Sequence, residues 1–302
     1  MLAIAFAGLL NSIFSRSISD TLIEIKKGDS LYKKIDELPL NYIDNLILKF
    51  FYSTKLNKNI HIGIYDVTGK TLKQYLESIL NGDLKQFKFQ IIEGQNIFDL
   101  KEKINDLGIS NDCIDFNCLQ DGLFPFIEGS FYPDTYFLTS NDSLKQVLEK
   151  SQLRLLELLD RLWDNNQSYL ENKYDALILA SIIEKEAGNK IEMPIIASVF
   201  QNRIKAGMKL QTDPTIIYGL LPNFDGDIKR KDILDNTNIF NTYVISGLPP
   251  TPIAMISESA LVAVFQPQDT QFYYFVAKGN GEHYFSATLK EHEAAVRRFQ
   301  LQ

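Results

Sequence analysis

The chain has 302 residues, 45% hydrophobic and 23% charged, a balance that fits one large folded domain or two modest ones and excludes a disordered or fibrous chain. A net charge of −7 and a pI near 5.1, with no run of clustered Lys and Arg, exclude a nucleic-acid partner, because phosphate backbones are held mainly by such clusters. Cys113 and Cys118 match no common zinc spacing and His61, His283 and His292 are scattered, so the sequence implies no metal and no cofactor. The two cysteines read as structural, a short-range disulfide being one form of that role.

Leu2 to Phe14 is apolar except for Asn11 and Ser12. It is shorter than the ~20 residues of a membrane span, and residues 1–18 are read as a hydrophobic anchor or signal-like segment, with a buried core helix as the alternative. From residue 19 an alternating strand, a turn residue and an amphipathic helix recur. Thr21 to Lys26 leads to a helix capped by Ser30, Ile60 to Val67 to a helix from about Thr71, and Phe87 to Ile92 to a helix capped by Asn96. Residues 19–105 therefore read as a small α+β module with antiparallel pairing, and Asn105 to Phe126 as loop.

Residues 106–302 read as a second, larger α+β domain. Ser140 or Asn141 is expected to cap a long amphipathic helix through Leu162. Ala176 to Ala187 is apolar nearly all round before its two acids, Glu184 and Glu186, with Gly188 and Asn189 as the stop. Pro194 opens a further helix that Gly207 closes. Phe272 to Ala277 and His283 to Ser286 flank a Gly-Asn-Gly-Glu turn, a hairpin signal, and Thr288 with Glu291 has capping-box spacing.

A carboxyl where an apolar helix meets polar surface tends toward the working range of a general acid. Glu184 and Glu186 cannot act as one close pair, since residues two apart on a helix point to different sides. Glu184 shares its face with Leu177, Ala180, Ser181 and Gly188, mostly small side chains, whereas Glu186 shares its face with Leu179, Ile182 and Ile183. Room over the small face selects Glu184. Loops dense in Asn, Gln, Asp and Tyr follow, at Leu210 to Thr215 and Asn241 to Tyr243, and such loops suit sugar hydroxyls and acetamido groups.

Five blocks carry a resemblance to the endolytic murein transglycosylases, the MltG or YceG-like family: EGSFYPDTY (Glu128 to Tyr136), LASIIEKE (Leu179 to Glu186), ASVFQNRIKAGMKLQTDPTIIYG (Ala197 to Gly219), NTY with GLPPTPI (Asn241 to Ile253), and YYFVAKGNGEHYFS (Tyr273 to Ser286). The resemblance implies a LysM-like front module, an α+β catalytic domain, and an inner-membrane anchor with the catalytic domain on the periplasmic side. It implies cleavage of nascent peptidoglycan between N-acetylmuramic acid and N-acetylglucosamine, with peptidoglycan synthases as partners. Glu184 would be the catalytic acid and base. Ser181, Glu186, Arg203, Gln211, Asp213, Tyr218, Asn241, Tyr243 and His283 would line the glycan groove. Such chemistry needs one carboxyl, because the C6 hydroxyl of the muramic residue closes a 1,6-anhydro ring. The competing readings are a non-catalytic wall-binding protein that recruits synthesis partners, and a hydrolase in the same groove in which water replaces the C6 hydroxyl.

Overall fold

The computed structural model describes residues 2–55, 58–107, 112–119, 122–164, 166, 168–170 and 172–301. The chain forms two compact units, residues 1–88 with 137–143, and residues 89–136 with 144–302. The division falls within a strand at Lys88 rather than after Asn105. The mixed helix and strand content is that of an α+β protein.

The first unit runs α1 (Leu2–Phe14), β1 (Leu22–Ile25), α2 (Leu31–Asp36), α3 (Tyr42–Ser53), β2 (Gly63–Asp66) and α4 (Leu72–Asn81), and ends in the first half of β3 (Phe87–Gln90). β1 and β2 pair antiparallel, with Ile23 opposite Tyr65. Ser30 caps α2, and Thr71 with Gln74 forms a capping box on α4. Ile25, Leu31, Ile35, Leu48, Tyr65, Leu76 and Ile79 fill the core, joined by Leu10 and Ile13 from one side of α1. Among the described residues no helix is long and apolar enough to cross a membrane. Ser140 and Asn141 do not cap the long helix, which starts only at Leu144. They belong to the returning segment of this unit, where Ser140 Oγ accepts from Ile64 N (2.9 Å) and Asn141 Nδ2 donates to the Ile62 carbonyl (2.6 Å).

The second unit carries α5 (Ile97–Asp106), a 3₁₀ segment (Ile114–Leu119), the first half of β4 (Thr135–Leu138), and then α6 (Leu144–Trp163), α7 (Lys173–Glu186), α8 (Met193–Lys205), α9 (Asp213–Leu220), the short α10 (Arg230–Ile233), α11 (Glu258–Phe265), β5 (Tyr274–Ala277), β6 (His283–Ser286) and α12 (Leu289–Phe299). Asn96 caps α5 in a capping box with Asp99, and Thr288 does so for α12 with Glu291. The stretch expected to be loop contains the 3₁₀ segment, which the Cys113–Cys118 disulfide ties to the residue just before it; residues 108–111, 120 and 121 of that stretch lie outside the described ones.

α7 is the axis of this unit. Asn172 caps its start by accepting from Tyr174 N, and every residue from Ala176 to Ile183 is buried, against α6, α8, α9 and α11. A helix buried on all sides cannot be amphipathic, which is why its sequence shows no polar face. It stops at Glu186 because Ala187 turns to extended backbone (φ −70, ψ 120). Gly188 serves a packing need: a Cβ there would collide with the Gly281 carbonyl of the β5–β6 turn. Asn189 Nδ2 donates to the same carbonyl (3.2 Å), so the hairpin is docked at the end of α7. β5 and β6 pair antiparallel with Ala277 opposite His283.

Candidate active site

A groove of about 520 Å³ lies wholly within the second unit, where the end of α7 meets α8, the loop before α9, the hairpin and α12. Its volume suits a ligand the size of one or two sugar rings. Glu186, Arg203, Gln211, Asp213, Tyr243 and His283 line it. Six of the expected residues are thus brought together, although they come from five separate stretches of sequence.

Glu186 is the last residue of α7, and its carboxyl is sheltered from solvent. Burial pushes its pKa up, Asp213 adds to this by like charge, and Thr212, His283 and Arg203 oppose it. A helix C-terminus also disfavours a negative charge. Thr212 Oγ1 donates a hydrogen bond to Glu186 Oε1. Thr212 is itself held from below, its N–H donating to Thr242 Oγ1 (3.0 Å) and its carbonyl accepting from Thr215 Oγ1 (2.7 Å).

Around this acid the groove walls are rigid. Arg203 is buried, donating from Nε to the Tyr273 carbonyl (2.6 Å) and from Nη1 to the carbonyls of Lys209 (3.3 Å) and Leu210 (2.7 Å). Its guanidinium lies over the Tyr274 ring (5.2 Å), and the same ring stacks with His292 (5.3 Å, 23°). One cation thereby ties α8, the strand β5 and the loop before α9. Gln211 adopts φ +50, a left-handed conformation that is costly for a residue with a Cβ, and such strain gathers at functional sites. Tyr243 donates its hydroxyl to Asp213 Oδ1 (2.7 Å), joining the two loops across the groove floor. His283 faces Glu192, with backbone N to Oε1 and ring Nδ1 to Oε2 both at 2.9 Å. Because an ionised carboxylate only accepts, Nδ1 carries the proton and Nε2 is left as acceptor in the neutral ring.

Four expected residues stand elsewhere. Glu184 does not line the groove; its Oε2 accepts from Ser257 N (3.0 Å) and Ser257 Oγ (2.6 Å), at the start of α11, whose N-cap is Ser257. The small face that seemed open to a ligand is instead where α11 packs, because small side chains let two helices approach. Ser181 is fully buried, donating to the Ile178 carbonyl and accepting from Ile253 N, so it cannot meet a glycan. Asn241 is also fully buried, its Nδ2 donating to the carbonyls of Asp232, Ile233 and Asp235, and its work is to shape a loop. Tyr218 packs edge-on against Phe240 (4.7 Å) and hydrogen-bonds Glu128, away from the groove lining. Glu128, buried and accepting from Ile97 N and Gly129 N, is pushed up to about 7 by burial.

Sequence reasoning missed Thr212, Thr242, Tyr274, Glu192 and His292, of which only the threonines left a signal, by standing between polar residues in the two loop blocks. Ser257 gives Glu184 a structural assignment with a measurable consequence. Glu184→Gln keeps one acceptor oxygen and removes the charge at the N-terminus of α11, so it is expected to cost about 1 kcal/mol of stability, read by urea unfolding.

The sequence model of the YceG-like family matches residues 23–298. The endolytic murein transglycosylase of Bacillus subtilis is 35% identical over 174 residues, which is 57% of this chain and 48% of that protein. The endolytic murein transglycosylase of Streptococcus pneumoniae is 25% identical over 174 residues, 56% of this chain and 32% of that protein. The match thus spans half or less of these relatives' own length. A crystal structure of a YceG-like protein from Listeria monocytogenes superposes with a TM-score of 0.60 at 25% identity, covering 90% of this chain and 97% of that one. With the family's pattern running through nearly the whole chain and a shared fold behind it, this protein belongs to the YceG-like family.

Proposed function

We propose that the protein is an endolytic lytic transglycosylase of peptidoglycan, and that Glu186 is its catalytic acid and base. The observation that carries this reading is a single sheltered carboxyl at the end of a buried helix, lining a groove walled by Gln211, Asp213, Tyr243 and His283. The names of the Bacillus and Streptococcus relatives support the choice of substrate.

Protonated Glu186 gives its proton to the oxygen joining N-acetylmuramic acid to N-acetylglucosamine, and the bond from that oxygen to muramic C1 breaks. The muramic C6 hydroxyl oxygen then bonds to C1, and its proton passes to the Glu186 carboxylate. The acid is regenerated and no water is consumed. Like charge from Asp213 and shelter from solvent favour the protonated start, while Arg203 stabilises the carboxylate once formed. Tyr243 and Gln211 are suited to hydrogen-bond acetamido and hydroxyl groups, and cuts fall within the strand.

Asp213 is the ground for a second reading, since two carboxyls in one groove also serve glycoside hydrolysis. Digestion of uncrosslinked glycan in ¹⁸O-labelled water separates the two. Transglycosylation leaves 1,6-anhydro ends without label; reducing muramic ends carrying ¹⁸O would establish hydrolysis instead.

The first unit acts as a LysM-like glycan-holding module, and residues 1–18 attach the protein to the outer side of the inner membrane beside peptidoglycan synthases. Support comes from α1, a helix without a charged residue on which Ile4 and Leu9 are exposed, and from the Cys113–Cys118 disulfide, which suits an oxidising compartment.

A further inference from the structure

We infer that Thr212 is a positioning residue that dictates which oxygen of the Glu186 carboxyl carries the catalytic proton. The inference rests on the reading of Glu186 as the acid, and it assigns a role to a side chain outside the groove lining.

The hydrogen-bond pattern leaves Thr212 little choice. Its backbone N–H is engaged by Thr242 Oγ1 (3.0 Å) and its carbonyl by Thr215 Oγ1 (2.7 Å), while Thr215 and Thr242 also bond each other through their hydroxyls (2.9 Å). All three threonines are buried, with Thr215 and Thr242 fully so. Two buried hydroxyls thus clamp the main chain of a third threonine, whose own hydroxyl proton goes to Glu186 Oε1. In a protonated carboxyl the carbonyl oxygen is the stronger acceptor and the hydroxyl oxygen the weaker one, so a fixed donor on Oε1 favours the form in which Oε1 is the carbonyl. The proton is therefore carried by Oε2, and the same bond stabilises the carboxylate left after transfer. A rigid donor fixed in advance is how electrostatic preorganisation works, with no reorganisation needed at the moment of reaction.

The charged and titratable groups near Glu186 come from each neighbouring element: Asp213 at the start of α9, His283 on β6, Arg203 on α8 and Tyr243 in the loop after α10. None of them donates a hydrogen bond to Oε1, so none replaces the threonine.

Thr212→Val, nearly isosteric, removes only the hydroxyl. Because Thr212 lowers the Glu186 pKa, its loss lets Glu186 keep the proton to higher pH. Activity that needs the acid form then falls away at higher pH than in the wild type, while kcat at the optimum drops about tenfold for lack of orientation. Thr212→Ser restores both the profile and the rate. If Thr212→Val does not fold, Thr212→Ala is read in the same way. An unmoved basic limb in a folded hydroxyl-free variant overturns the inference, as does failure of serine to rescue. Glu186→Gln is run beside them: if it is inactive and the limb is unmoved, the positioning role alone fails, whereas an active Glu186→Gln removes the underlying assignment.

Discussion

Glu186→Gln is expected to lower glycan cleavage by about three orders of magnitude while the protein stays folded and still binds glycan. The size follows from the double use of one group in the proposed mechanism, in which the same carboxyl donates the proton in bond breaking and takes one back in ring closure. Glutamine cannot do either. The fold should tolerate the change, because the side chain's one strong partner, the Thr212 hydroxyl, can donate to an amide oxygen as well as to a carboxylate. Losing a half-buried carboxyl, whose ionisation its sheltered position disfavours, also relieves a cost. Retained folding is checked by circular dichroism, retained binding by pull-down with insoluble sacculi, and activity by the rate of anhydro-end formation.

Arg203→Met carries the second large effect, and it acts on the scaffold. The guanidinium supplies charge-assisted hydrogen bonds to the carbonyls of Tyr273, Lys209 and Leu210 from a buried position. Methionine fills much of the volume and donates nothing, so three carbonyls lose a charged donor. We expect a loss of about 3 kcal/mol, measured as a lower urea midpoint. Cleavage should also fall, because the loop carrying Gln211 and Asp213 is held through Leu210 by this one side chain. Lysine is not expected to rescue, since an ammonium cannot span the same fork of carbonyls.

These expectations depend on contacts that sequence reveals unevenly. Local rules were legible: the capping box at Thr288 with Glu291, the cap at Asn96, the Gly279 to Glu282 hairpin turn, and the opening of α8 at Pro194 depend on residues within a few positions of one another. So was the buried character of α7. The choice between Glu184 and Glu186 was not legible, because it depends on what packs against each face. Ala180 and Ser181 look like vacant space in a sequence, yet they mark close helix packing, and α11 brings Ser257 to Glu184 over that face. Glu186, beside Ile182 and Ile183, looks like core until the helix is seen to stop there, with the loop before α9 closing over it.

The same limit explains the loops. In Leu210 to Thr215, Gln211 and Asp213 face the groove while Thr212 between them is buried, because the chain passes from a left-handed residue at Gln211 through an extended Thr212 into the first turn of α9, a path that a list of polar residues conceals. The hydrogen-bonding capacity of Asn241 is used inwardly, on three carbonyls of its own loop. Ser140 and Asn141 illustrate a different gap. Both are good helix caps, but their partners are the backbone of Ile62 and Ile64, more than seventy residues earlier in the chain.

The most direct measurement is one digest series on uncrosslinked glycan with wild type, Glu184→Gln and Glu186→Gln, read by mass spectrometry for 1,6-anhydro ends. Glu184→Gln should release them at close to the wild-type rate and Glu186→Gln should release almost none. Anhydro ends from Glu186→Gln at the wild-type rate, or their loss only with Glu184→Gln, would contradict the account.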